Sequence, residues 1–303
     1  MRFTVIAPCL NAQAQWNSWR VAIESQNAKP DSVLILDSES VDGTPTAARH
    51  AGFQVIEIKR AAFDHGGTRQ LGVDHLPPDI DIAVFLTQDA ILATPDALKN
   101  ILAPFEDASI GMAYGRQLPR PSANPIEAHA RLFNYPPQSH VRTYEDRHRL
   151  GLKAAFASNS FAAYRRSALA AVGGFPPRTI FAEDMIAAAR MLKAGWRLAY
   201  AADATVYHSH GYSLAEEFRR YFDVGVLHAR DAWLLNAFGK PEGEGLRFIC
   251  SELVYLRQHA PLLIPHALIK TFVKYFGYRS GLLESRIQNS IKRRLSMNRG
   301  YWV

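Results

Sequence analysis

Several short stretches of this chain put chemically competent side chains directly behind apolar runs. The run DIAVFL ends in Thr87-Gln88-Asp89. A carboxylate at the end of a buried strand is costly unless it is paired or used. One such group can anchor a divalent cation that bridges two phosphates; a loop cap is the other reading of Asp89. The run VLIL ends at Asp37, followed by Ser38. A carboxylate there can accept the N3–H of a uracil or thymine ring, or can cap a helix. In FDHGGTRQLG, glycines sit beside Arg69 at a helix start, an arrangement suited to a phosphate or a base; a surface helix with a glycine cap fits it too. Glu183-Asp184 open a further helix, where the dipole favours negative charge. His208 and His210 leave a strand on one face with metal-ligand or phosphate-binding spacing, a pattern that solvated or core histidines share.

The elements that position these residues alternate. RFTVIAP, SVLILD, FQVIEI and DIAVFL read as strands, and AQWNSWRVAIESQ, TPTAARHAG and GGTRQLGVDHL as the helices between them. A further helix is expected from Thr94 and Pro95. This alternation predicts an α/β fold with a parallel sheet and right-handed crossovers, ligands binding at the carboxyl ends of its strands. Residues 116–149, rich in Pro, His and Arg, read as a loop region with a mobile part. The segment AAFASNSFAAYRRSALAAVGGF reads as strand, short strand and glycine-stopped helix. From Ser213, which forms a capping box with Glu216, everything reads as helix.

Composition narrows the function classes. With 48% apolar and 21% charged residues the chain is neither disordered nor membrane-spanning. No signal peptide is expected, and the apolar HAPLLIPHALIKTFV is interrupted by Pro261, Pro265, His266 and Lys270. Cys9 and Cys250 read as free thiols of a reducing compartment. The net charge of +7 sits entirely after Ile269, where eight basic residues face the single acid Glu284. Such a tail suits an anionic membrane; without a nucleic-acid motif, no nucleic-acid partner is expected. A solvated helix bundle or a homo-oligomer contact is the other use of that segment.

Taken together, the motifs resemble the inverting family 2 glycosyltransferases of the GT-A fold over roughly residues 3–215. ILDSESVDGT resembles their nucleotide loop, HGGTRQLG their nucleotide-side helix, FLTQDA their Asp-x-Asp strand end, and AEDM their Glu-Asp catalytic motif. FDHGGTR, YFDVGVLHAR and the late KYFGYRSG are similar to the bacterial rhamnosyltransferase branch. Two departures stand out. Thr87 replaces the first Asp of Asp-x-Asp, and Ser38-Glu39 replace Asp-Gly in the nucleotide loop.

The resemblance implies a GT-A, Rossmann-like, mostly parallel mixed sheet flanked by helices, with a C-terminal helical extension. It implies a catalytic domain over 1–212 and a helical, basic, acceptor- or membrane-proximal region over 213–303. It makes Asp184 the general base beside Glu183, and gives Pro8, Asn11, Asp37, Ser38, His65, Arg69 and Gln88 to the nucleotide. Asp89, His208 and His210 would hold Mg²⁺ or Mn²⁺, and Asn159 would meet the acceptor or donor sugar. The implied reaction moves L-rhamnose from dTDP-L-rhamnose to a lipid-linked saccharide, on the cytoplasmic face of the plasma membrane. A UDP-hexose donor, a nucleotidyltransferase and a catalytically silent binding module are the rival expectations.

Overall fold

The computed structural model describes residues 1–240 and 243–302. Its frame is one nine-stranded sheet: β1 Phe3–Cys9, β2 Ser32–Asp37, β3 Gln54–Glu57, β4 Ile82–Leu86, β5 Ile91–Leu92, β6 Ile110–Leu118, β7 His140–Arg142, β8 Phe161–Arg165 and β9 Arg197–Tyr207. The order is β3-β2-β1-β4-β8-β6-β9-β5, with β7 pairing on β9. The first four strands, β6 and β9 run one way, while β8, β5 and β7 run against them. The sheet is therefore mixed and mostly parallel, as expected.

The apolar strand runs are continuous because both faces are covered. Ile6, Leu34, Leu36 and Phe85 point into one core, and Val5, Ala7, Ile35 and Val84 into the other. Gly72 lies where a Cβ would come within 2.9 Å of Ile6 and Leu36, which lets its helix, His65–Asp74, lie close on the sheet.

Three expectations change. Residues 116–149 are ordered into the helix Pro125–Asn134, capped by Asn124 with Pro125 at its first position, and into β7. The first of the two strands expected in AAFASNSFAAY is instead a 3-10 turn, Gly151–Ala155. The helix expected from Thr94 begins at Ala97.

The helices of the C-terminal segment pack closely on one another and on the rest of the chain. Helices Leu214–Arg230 and Ile264–Leu282 touch backbone to backbone: a Cβ on Gly281 would lie 2.0 Å from the Phe222 carbonyl oxygen. Beyond them the chain returns to the helix Leu214–Arg230. Asp223 accepts the backbone N–H groups of Met297 and Asn298, and Trp302 is buried against Phe222. The basic tail is also less free than its sequence suggests. Lys270 is buried beside Glu217, and Lys292 beside Glu284, because a buried ammonium requires a carboxylate partner.

Candidate active site

The candidate groups gather at the carboxyl edge of the sheet, and strand register explains why. In the antiparallel pair β5–β9, Ile91 faces Tyr207. Extending that register by two residues sets Asp89 opposite Ser209, between His208 and His210. Asp89 Oδ2 accordingly lies 3.2 Å from His208 Nε2 and 3.4 Å from His210 Nε2. Thr87, at the position of the missing acid, donates its hydroxyl to Asp89 Oδ1 at 2.8 Å.

The donor set fits a divalent cation. His208 Nδ1–H donates to Gln117 Oε1 at 2.9 Å. Gln117 is fixed in that orientation from both ends. Its Oε1 also accepts from Arg131 Nη1 at 2.8 Å, and its Nε2 donates to Ser158 Oγ at 2.9 Å. With Nδ1 committed to Gln117, His208 turns Nε2 toward Asp89, where it would ligate a cation in exchange for a proton. Burial, reinforced by the charge of His208, pushes His210 down to about 4, so it is neutral near pH 7. Burial opposes the charge on Asp89. Even so, the hydrogen bond from and charge of His208, with help from Thr87 and His210, hold its carboxyl well below the ordinary range. Three ligand atoms thus converge within 4.8 Å of one another, which a cation satisfies better than protons do.

Asp184 is reached from the neighbouring pair β4–β8. The backbone N–H of Thr87 donates to Ser160, and one residue earlier the N–H of Asn159 donates to Asp184 Oδ2 at 2.9 Å. Met185 N–H serves the other oxygen at 2.7 Å. Ala182, two residues before Asp184, is held in the left-handed region at φ 61°, and from it the chain turns into the helix Glu183–Lys193. Burial and then the charge of Glu183 raise Asp184 to about 7. Burial also disfavours charge on Glu183, but Arg69, 3.1 Å away, and then His65 outweigh it and lower its pKa. Adjacent carboxylates are thereby driven apart, one ionised and one poised near neutrality.

The nucleotide side is built on β1 and β2. Asp37 Oδ2 accepts from Ser40 N–H, while Asp37 Oδ1 and Ser38 Oγ are buried without a protein partner among the described residues. Pro8 lies beside Leu36 in the β1–β2 register. Asn11, at φ 51°, accepts from Val41 N–H and so closes the loop over them.

Four of the expected residues are also engaged by the protein itself. Gln88 exchanges two hydrogen bonds with the backbone of Leu10, which ties β4 to β1. Arg69 is buried with its Nη1 3.1 Å from Glu183. His65 is held by Asn298 of the returning tail at 3.1 Å. Asn159 is buried, donating to Glu183 and accepting from Tyr164, so it braces the acidic pair. Gln117, Arg131 and Asn298 are missed by sequence reasoning, since each acts through a contact more than ten residues away.

Comparison with known proteins agrees with this geometry. The family described as "Glycosyltransferase like family 2" matches residues 2–222. The chain belongs to that family. It is a glycosyltransferase, as its motif order implied. It is 46% identical to the O-antigen chain rhamnosyltransferase RfbN of Salmonella typhimurium over 100% of this chain and 96% of that one. It is likewise 46% identical to the O-antigen chain rhamnosyltransferase WbaN of Salmonella anatum, over 99% and 95%. Among solved structures, a mannosyltransferase of Pyrobaculum calidifontis in complex with GDP-Man and Mn²⁺ superposes with a TM-score of 0.62 at 19% identity. That match covers 94% of this chain and 87% of the other. TarS residues 1–349 of S. aureus superpose at 0.54 and 15% identity, covering 94% and 92%. The fold is GT-A.

Proposed function

We propose that this family 2 glycosyltransferase moves L-rhamnose from dTDP-L-rhamnose, with inversion, onto a saccharide carried by polyprenyl diphosphate. The enzyme then works as a peripheral protein on the inner face of the plasma membrane. The observation that carries the reading is the pair of sites at one sheet edge: a buried carboxyl poised near neutrality, and the cluster Asp89–His208–His210. Full-length similarity to two O-antigen rhamnosyltransferases supplies the sugar.

Inverting transfer is an in-line displacement at the anomeric carbon. Asp184 takes the acceptor hydroxyl proton, the acceptor oxygen bonds to C1, and the bond from C1 to the phosphate oxygen breaks, releasing dTDP. A β-linked donor yields an α-linked rhamnoside. Glu183, held ionised by Arg69, keeps Asp184 basic enough to accept that proton. Asp37 Oδ1 takes the N3–H of thymine, and Ser38 lies beside it to complete the base pocket. Asp89, His208 and His210 hold a divalent metal, Mg²⁺ or Mn²⁺, which when bound neutralises charge on the departing diphosphate.

Titration calorimetry with dTDP, UDP and GDP, each with Mn²⁺ and with chelator, tests the donor. Tighter, metal-dependent binding of dTDP is expected. Preference for UDP would overturn rhamnose while leaving the mechanism, and no binding of any nucleotide would remove both.

A further inference from the structure

The solvent face of the helix Ile264–Leu282 has the wrong chemistry for water. Its inner face, Ala267, Lys270, Gly277 and Gly281, is buried against the helix Leu214–Arg230. At helical spacing the opposite line reads Pro265, Ile269, Phe272, Phe276, Arg279 and Leu283. Phe272 is 63% exposed and Phe276 59%, and Leu262, just ahead of the helix, is 93% exposed. A surface helix normally turns charged residues outward. Here the first charge on the outer line is Arg279, so an apolar ridge runs from Pro265 to Phe276, roughly 17 Å of the helix.

The exposed charge of the C-terminal region has one sign. Among the described residues from 243 on, the acids are Glu244, Glu252 and Glu284. Glu252 and Glu284 are buried, and Glu244 is paired with Lys153 and Arg247. The exposed cations Arg257, Arg279, Arg286, Arg293, Arg294 and Arg299 have no exposed acid from that region to offset them. No described helix is long and apolar enough to cross a membrane. An apolar line in a region whose exposed charges are basic matches an anionic bilayer surface, into which such a helix sinks without spanning it.

We infer that the outer face of Ile264–Leu282 docks on an anionic lipid surface, with Phe272 and Phe276 inserted and the arginines meeting headgroups. This gives the membrane contact expected of the basic C-terminal segment a definite face. It rests on the proposed function only in that a lipid-linked acceptor is met at that surface.

The test is co-sedimentation of the full chain with vesicles of phosphatidylcholine alone, or of phosphatidylcholine mixed equally with phosphatidylglycerol. The expected result is binding to the anionic vesicles that falls at least about tenfold in the double variant Phe272→Glu, Phe276→Glu. Both sites are exposed, so the thermal midpoint and dTDP affinity should be unchanged; those readouts separate failure of the surface from failure of the donor reading. A full chain that ignores anionic vesicles overturns the inference, as does a double variant that binds them normally. A dimer dissolved by the same variant, without vesicle binding, would assign the ridge to a second copy and equally overturn it.

Discussion

Replacing Asp184 by Asn should slow transfer and stabilise the protein at once, and both effects can be sized. Moving a carboxyl from its ordinary 3.8 to about 7 means that burying the ionised form costs roughly 4 kcal/mol. The amide side chain removes that charge. It has one acceptor oxygen, however, and the carboxylate now serves two amides, Asn159 N–H and Met185 N–H. One of them loses its partner, at about 1–3 kcal/mol. A net gain of about 1–3 kcal/mol remains. The sign with pH follows from linkage. The folded state holds its proton up to about 7 and the unfolded chain only to its ordinary value, so wild-type stability falls as pH rises between the two and is flat above. The advantage of the Asp184→Asn variant should therefore grow from about pH 4 to about pH 7 and then hold. Urea unfolding at several pH values measures it. Single-turnover transfer should fall by about 10²–10⁴ with dTDP affinity retained, and wild-type transfer should rise through about pH 7 as the base ionises. Near-normal transfer by Asp184→Asn refutes the assignment, and a pH-independent stability gain refutes the account of the raised carboxyl.

Three other perturbations address separate parts of the site. Gln117→Leu leaves the His208 ring without its acceptor, and Mn²⁺ affinity read by electron paramagnetic resonance should drop about 10–100-fold; an unchanged affinity would show that Gln117 does not orient the ligand. Asp37→Ala removes the unpartnered acceptor, so dTDP affinity should weaken by about 1.5–3 kcal/mol, with metal binding alone unaffected. Gly281→Ala drives a methyl into the Phe222 carbonyl and should cost about 1–3 kcal/mol in urea unfolding, without altering nucleotide affinity in the folded protein.

Much of the frame was readable because its signals are local. Continuous apolar runs between capped helices announce a sheet covered on both faces, and β1, β2 and β4 lie where the runs place them. Asp37, Asp89 and the histidine pair stood out as candidates for the same reason: each lies at or just past a strand end. What could not be read depends on long-range pairing. Asn159 and Gln88 carry polar amides in motif positions, yet both are engaged by neighbours twenty or more residues away. The closeness of Asp89 to His208 needs the β5–β9 register, and β5 is only two residues long. The returning tail leaves no periodic signal, although Asn298 donates to Ile180 ahead of the acidic pair and also holds His65.

The exchange of an acid for Thr87 also changes how the cation should be held. An Asp-x-Asp pair brings two negative charges, whereas Asp89 with two imidazole ligands brings one. Thr87 contributes only a hydroxyl, and that hydroxyl occupies Asp89 Oδ1. Affinity at such sites follows ligand charge. The nucleotide-free enzyme should therefore hold Mn²⁺ weakly, and the diphosphate of dTDP should supply the missing charge. Linkage then requires each ligand to tighten the other by one common factor, of the order of 5–150-fold. Calorimetry with each ligand first and second checks the equality. Thr87→Asp should restore the second charge, raise nucleotide-free Mn²⁺ affinity and shrink that factor. Tight Mn²⁺ binding by the unaltered enzyme, indifferent to dTDP, would show that the histidines do more than replace a carboxylate.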